Sequence, residues 1–152
     1  MTFQKNQYIS KELKMSGVVR LSFSIEKSLW ERLQNLVEHE GYANRSEFIR
    51  DLIRDHLVEK QWEENEEAIG TITFVYNHHI PNLNDKILDI QHKFINEILT
   101  STHIHLDNQL CAETILVRGK AHKIQELCSA LRKQKGVLHA SISISSTGRN
   151  LM

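Results

Sequence analysis

The chain has 152 residues, and its 19 basic and 19 acidic side chains balance to a formal net charge of zero. This length holds one ordinary domain or two small ones, and the charge balance neither favours nor excludes nucleic acid as a partner. With two cysteines, no hydrophobic leader and no long apolar run, we expect a soluble chain in a reducing cytoplasm, with no membrane partner.

A short strand is the first predicted element, and it follows a polar arm. Residues 1–17 show no clear period, and their three lysines could contact phosphates, so we interpret them as a flexible arm. Residues 19–25 alternate strictly, with apolar side chains on one face and Arg20, Ser22 and Ser24 on the other. Helical patterns follow directly, so the strand has no neighbour in sequence. Its predicted partner is a second copy of itself, because a lone strand leaves its backbone groups unpaired.

Two helices complete the predicted N-terminal domain, residues 18–60. The first is predicted over 27–40, where Gly41 would end it, and the second begins at Asn44, whose distance from Glu47 is that of a capping box. One strand and two helices contain too little apolar core for a single copy. The sequence therefore predicts an intertwined dimer.

Such a dimer would present two strands as a ribbon, and a two-stranded ribbon fits the major groove of DNA. The exposed face of the ribbon would carry Arg20, Ser22 and Ser24 twice. Arginine can bond guanine bidentately, and serine can donate or accept. Double-stranded DNA is therefore the predicted partner, and an ordinary polar strand face is the alternative.

A second domain is predicted over residues 70–147, after a glutamate-rich linker at 61–69. The stretch 59–68 is expected to start as a continuation of the second helix and to end as linker. Its elements are predicted in the order strand, helix, strand, strand, helix, strand, at 70–78, 82–99, 101–106, 110–118, 121–135 and 137–145. This βαββαβ order is that of the ferredoxin-like fold, an antiparallel four-stranded sheet with helices on one face. The fold class predicted for the whole chain is α+β.

Candidate metal ligands cluster in this second domain. They are His92, His103, His105 and Cys111. Side chains two apart on a strand share a face, so His103 and His105 point the same way. If 107–109 form a three-residue turn, His105 lies opposite Cys111, and His103 lies opposite Glu113. Imidazoles and a thiolate suit a borderline transition metal, and a carboxylate beside them suits a supporting role.

His92 is predicted in the middle of a second apolar stripe on its helix, formed by Leu88, Ile95 and Leu99. One stripe must face the sheet, so the other is left for a partner subunit. We therefore expect His92 to reach a site built on another copy of the chain. The same donor set would also bind zinc or copper(II), so the residues by themselves do not identify the metal.

The spacing H-x10-H-x-H-x5-C resembles the signature of the nickel-responsive transcriptional regulators. This family has an N-terminal ribbon-helix-helix DNA-binding domain and a C-terminal ACT-like metal-binding domain. The motif GYxNRSExIRD at 41–51 carries the same resemblance, which covers residues 18–146. It implies a homotetramer, a dimer of dimers, that binds an operator under the control of nickel(II) and takes no small-molecule substrate. We expect a repressor, although the sequence does not distinguish repression from activation.

The resemblance also implies a square-planar site with one nickel(II) per subunit, between subunits. Its ligands would be His92 of one chain and His103, His105 and Cys111 of another. Tyr76 and Glu113 match residues around this site. Glu47 and Asp51 match carboxylates that hold a second cation between the domains when DNA is bound.

His78 and His79 follow the first predicted strand of the second domain. Adjacent strand residues face opposite ways, so at most one of the pair should approach the metal face. We interpret them as an auxiliary or entry site for nickel(II), and two solvent-exposed histidines are the alternative.

Two other functions use the same features. A metalloenzyme could use the same ligands, but a catalytic site keeps an open position and a nearby acid or base, whereas four ligands close this set. A ribbon-helix-helix repressor could instead sense a small metabolite through its ACT-like domain. We therefore predict a regulator and not an enzyme.

Overall fold

The computed structural model describes residues 17–151, and the chain divides into two compact units between Tyr42 and Ala43. Almost all of the predicted arm, residues 1–17, lies outside the described residues. Residues 19–25, the predicted first strand, have no strand pairing within the part of the chain that the structure describes. A strand needs a hydrogen-bonded neighbour, and the neighbour predicted for residues 19–25 is the same segment of a second chain. The two-stranded ribbon therefore stays a prediction.

Helix α1 spans Lys27–His39 in the first unit. Gly41 has a φ of 73°, a left-handed conformation that glycine adopts without strain. The amide of Tyr42 donates to the carbonyl of Val37 at 3.1 Å and closes the last turn. The predicted end of the first helix is therefore confirmed.

Helix α2 spans Arg45–Glu63 in the second unit. The side chain of Asn44 accepts a hydrogen bond from the amide of Glu47 at 3.0 Å, so the predicted N-cap is confirmed. The predicted linker, 61–69, is helical at its start and belongs to a strand at its end. The physical reason is Trp62, which is buried in the core of the second unit and holds the last helical turn there.

The remaining elements are the strands β1 (Glu67–Asn77), β2 (Ile98–His105), β3 (Leu110–Lys120) and β4 (Val137–Ser145), and the helices α3 (Leu83–Lys93) and α4 (Ala121–Arg132). The four strands form one antiparallel sheet in the order β2-β3-β1-β4. The predicted βαββαβ order and the α+β class are therefore confirmed. Among residues 17–151, no helix combines the length and apolarity that crossing a membrane requires.

The core lies between the sheet and helices α3 and α4. Its largest fully buried side chains are Phe74, Ile72, Leu83, Ile115, Ile124, Leu127, Leu131, Val117 and Cys111. On β1 and β3, buried residues alternate with partly exposed ones, as a sheet covered by helices on one face requires. Tyr76, Cys111 and Glu113 continue this alternation, so the candidate site lies on the helix-covered face.

Helix α3 ends six residues earlier than predicted, at Lys93 and not at Leu99. Backbone pairing overrides the helical pattern here, because Ile98 pairs with Val117 at the start of β2. The predicted stripe of Leu88, Ile95 and Leu99 is therefore not one helical face. Its members lie in a helix, a turn and a strand, and all three are more than half exposed.

Candidate metal centre

The hairpin between β2 and β3 aligns the candidate ligands. His105 pairs with Cys111 and His103 with Glu113, which confirms the predicted register. The carboxylate of Asp107 accepts hydrogen bonds from the amides of Gln109 and Leu110 at 2.7 and 2.8 Å. These two bonds hold the pKa of Asp107 below its usual value and fix the turn that sets the register.

Three side chains approach closely enough to hold one metal ion. Nδ1 of His105 lies 3.2 Å from Sγ of Cys111, and His78 joins them with all three donor atoms within 4.8 Å of one another. Imidazole nitrogen and thiolate sulfur are the donors that nickel, copper and zinc share. The donor set therefore fits the kind of metal that the sequence predicts.

His103 lies beside this group and has its own supporting contacts. Its ring centroid is 4.9 Å from that of His105, and its Nδ1 lies 3.2 Å from the hydroxyl of Tyr76. Oε2 of Glu113 is 4.0 Å from the same nitrogen. Oε1 of Glu113 also accepts a hydrogen bond from the side-chain amide Nε2 of Gln91 at 2.6 Å, which ties helix α3 to the site.

Tyr76 and Cys111 both hold their protons more tightly here than in water. Burial, aided by the charges of Glu113 and Cys111, raises the pKa of Tyr76 to about 12, so its hydroxyl keeps its proton. Burial also raises the pKa of the Cys111 thiol, with smaller contributions from Asp107 and Glu113. A metal that binds Cys111 must therefore displace its proton.

These side chains line an open cavity of about 440 Å³ between the sheet and α3. Tyr76, His78, His103, His105, Cys111 and Glu113 all contribute to its wall. Ser101, Asn84 and Gln91 line it as well, although they belong to none of the predicted sites. Gln91 could have been found from helix spacing, because it lies one turn after the buried Ile87.

His92 is not part of this group. It lies in the last turn of α3 and is exposed. The structure thus brings two of the four predicted ligands, His105 and Cys111, together with His78, and it places His103 beside them.

His78 and His79 depart from the expected alternation. Strand β1 ends at Asn77, so both histidines lie in the following turn and their rings are 4.3 Å apart. Nε2 of each lies near the carbonyl oxygen of Asn108, at 3.0 Å for His78 and 2.7 Å for His79. Only His78 joins the group of His105 and Cys111, in agreement with the expectation that at most one of the pair would approach the metal face. The two rings lie side by side because the strand ends before them.

Arg20, Ser22 and Ser24, the residues predicted to contact DNA, are exposed. Glu47 and Asp51, the predicted carboxylates for a second cation, lie one turn apart on α2. An arginine accompanies each, with N–O distances of 3.8 Å from Arg50 to Glu47 and 2.9 Å from Arg54 to Asp51.

Comparison with known proteins divides the chain as the sequence does. Residues 69–145 match the family described as "NikR C terminal nickel binding domain", and residues 19–60 match "Ribbon-helix-helix protein, copG family". A protein of Pyrococcus furiosus assigned as a nickel-responsive regulator is 44% identical over 137 residues, which are 90% of this chain and 99% of that protein.

The chain belongs to the family of nickel-responsive regulators. Another relative of this regulator, from Caldanaerobacter subterraneus subsp. tengcongensis, is 44% identical over 138 residues, 90% of each chain. A third, from Pyrococcus abyssi, is 45% identical over 136 residues, 89% of this chain and 99% of that one. The family is one of regulators and not of enzymes, which agrees with the prediction.

The similar solved structures share less sequence identity with the regulator than these relatives do. The ACT domain from GTP pyrophosphokinase of Chlorobium tepidum has a TM-score of 0.46 and 18% identity, and covers 51% of this chain and 99% of that one. Protein TM1266 from Thermotoga maritima has a TM-score of 0.48 and 15% identity, and the match covers 52% of this chain and 98% of that one.

Proposed function

We propose that this chain is a cytoplasmic, nickel-responsive regulator of transcription that binds specific operator sequences. Nickel(II) bound by the C-terminal domain would control DNA binding by the N-terminal domain. The observation that carries the proposal is the meeting of His105 and Cys111, with His103 beside them, in a domain of a nickel-binding family. Metal and DNA sites in separate domains can be coupled only through domain arrangement or assembly.

The proposed ligands are His103, His105 and Cys111 of one chain and His92 of a second copy, with one nickel(II) per subunit of a homotetramer. The exposure of His92 at the end of α3 supports this assignment. Leu88 and Ile95 nearby are 52% and 62% exposed. A second copy packed here would bury this apolar surface and bring His92 to the site.

Bound nickel(II) would supply a positive charge that stabilises the Cys111 thiolate and links two chains. The residues around the ligands have separate tasks. Tyr76 and Glu113 restrict the ring of His103, and Asp107 fixes the turn that keeps Cys111 opposite His105.

At the N-terminus we propose that residues 19–25 pair with the same segment of a second chain. Their apolar face supports this, since Val19, Leu21 and Phe23 are 79%, 81% and 65% exposed. The opposite face would then present Arg20, Ser22 and Ser24 to the major groove.

Glu47 and Asp51 remain proposed ligands of a second cation in the DNA complex. Their exposure and their spacing of one helical turn support this role. A bound cation would have to displace Arg54 from Asp51, so we expect weak binding without DNA.

Subunit mixing tests the shared site. His92→Ala and Cys111→Ala chains are each expected to bind no nickel tightly. Co-refolded in equal amounts, they should regain about a quarter of the wild-type sites, because half of the pairs are mixed and one of two sites is intact in each. No regained site would contradict a site shared between chains.

DNA selection tests the regulator itself. A random-sequence library is incubated with the protein and nickel(II), with a metal-free arm as the control. We expect one enriched sequence only when nickel is present. Equal enrichment in both arms, or none, would contradict nickel-responsive operator binding.

A further inference from the structure

The last turn of α2 is built into the core of the metal-binding domain. Trp62 is 6% exposed, and its indole Nε1 donates to the carbonyl of Ser145 at 2.9 Å. A Cβ placed at Gly70 would lie 3.1 Å from the Trp62 ring, so the ring rests directly on β1. This turn of α2 is thus held by both the sheet and the end of β4.

The three residues after α2 are held as firmly. Asn65 adopts a left-handed φ of 54°, and its Oδ1 accepts from the amide of His122 at 2.8 Å. The carbonyl of Glu66 accepts from the amide of Ala121 at 3.1 Å. Amides in the first turn of a helix have no partner within that helix, so the α2–β1 connection caps α4.

The N-cap residue of α4 itself, Lys120, makes no side-chain cap. The capping of α4 therefore depends on a segment nearly 60 residues earlier in the chain, since His122 and Asn65 are 57 positions apart. A segment that caps a helix packed on the sheet cannot swing freely without breaking those hydrogen bonds.

We propose that Trp62 and Asn65 are positioning residues that lock the C-terminal turns of α2 to the metal-binding domain. Movement of that domain is then transmitted along α2. Any bending between the domains occurs upstream of Val58, which packs against the core of the metal-binding domain, and not in residues 61–69. This inference rests on the proposed function, because it names the route by which the metal domain acts on DNA binding. A helix of 19 residues is about 28 Å long. A small rotation of the end that is fixed to the metal-binding domain therefore produces a larger displacement at the opposite end of the helix.

Hydrogen exchange tests the lock without nickel or DNA. In the wild type, the amides of residues 59–63 should exchange as slowly as those of α4 and more slowly than those of the first turns of α2. Asn65→Gly keeps the left-handed backbone and removes the cap, and Trp62→Phe keeps an aromatic ring and removes the donor. Each should raise exchange at residues 59–63 about fivefold, the effect of one lost hydrogen bond.

Asn82→Gly is the matched control. Asn82 is the other left-handed asparagine of the described residues, with a φ of 62°, and it makes no side-chain cap hydrogen bond. The same substitution there should leave exchange in α2 unchanged. Wild-type exchange at 59–63 as fast as in the first turns of α2 would overturn the lock.

The transmission is tested by DNA affinity with and without saturating nickel(II), measured on the duplex recovered from the selection. Asn65→Gly and Trp62→Phe should lower the ratio of these affinities at least about fivefold while nickel affinity changes less than about twofold. An unchanged ratio in both variants, with exchange increased, would overturn transmission through this turn. A wild-type ratio of one would overturn the proposed function and the transmission with it, while the exchange result still decides the lock.

Discussion

The two cysteines of this chain provide a matched pair for testing the metal centre. Cys111 and Cys128 are both free, and their exposures are 0% and 2%. Cys111 lies 3.2 Å from His105, whereas Cys128 lies in α4 and contributes to the apolar core. Replacing each with alanine therefore removes the same atom from a similarly buried position, and only Cys111→Ala should affect nickel.

The expected magnitudes follow from burial and from ligand linkage. Loss of a buried sulfur, comparable to a methylene group, should lower the free energy of unfolding of either metal-free variant by about 1 kcal/mol. Nickel(II) at about 100 times its Kd stabilises the wild type by about 2.7 kcal/mol. For a chain of 152 residues this raises the Tm by about 5–11 °C.

Thermal unfolding at one fixed protein concentration, with and without nickel(II), is the assay. We expect Cys128→Ala to keep the full nickel-dependent rise in Tm and Cys111→Ala to lose nearly all of it. A wild-type rise in Tm for Cys111→Ala, or an equal loss of the rise in both variants, would refute the assignment of Cys111 as a nickel ligand.

Three further predictions concern DNA, pH and the auxiliary histidines. Arg20→Ala should weaken operator binding by about 1–3 kcal/mol in gel-shift titrations and leave nickel affinity unchanged, and an equal loss on random DNA would contradict base reading. Because the pKa of Cys111 is raised above its ordinary value of 9.0, nickel must displace a proton below that pH. Nickel affinity should thus rise up to about tenfold from about pH 7 to about pH 8, measured against a competing chelator, and a flat profile would exclude the thiolate. In calorimetry, a His78→Ala/His79→Ala double variant should lose a weaker binding phase and keep the tight one, and traces identical to the wild type would remove the auxiliary site.

Much of the fold could be predicted because hydrophobic period and turn chemistry act locally. The end of α1 at Gly41 and the start of α2 after Asn44 depend on backbone conformation and one side-chain hydrogen bond. The register of the β2–β3 hairpin follows from a three-residue turn, so the pairing of His105 with Cys111 is also local. These features need no knowledge of distant residues.

The errors arise where distant residues decide. Helix α3 ends at Lys93 because its continuation pairs with β3. The turn after β1 places the rings of His78 and His79 side by side near the carbonyl of Asn108, which strand period does not reveal.

The sequence alone therefore determined the order of the elements, the fold class and most of the candidate ligands, because spacing along a strand or turn fixes which side chains share a face. Only the tertiary structure decided that His92 is exposed and lies apart from His78, His105 and Cys111. It also decided that Glu113 accepts a hydrogen bond from the side chain of Gln91. It also decided that the segment predicted as a linker caps α4 through Asn65. The physical reason is that such contacts join residues far apart in the chain. Packing of the whole sheet and its helices determines them, and it can override the local conformational preference of a segment.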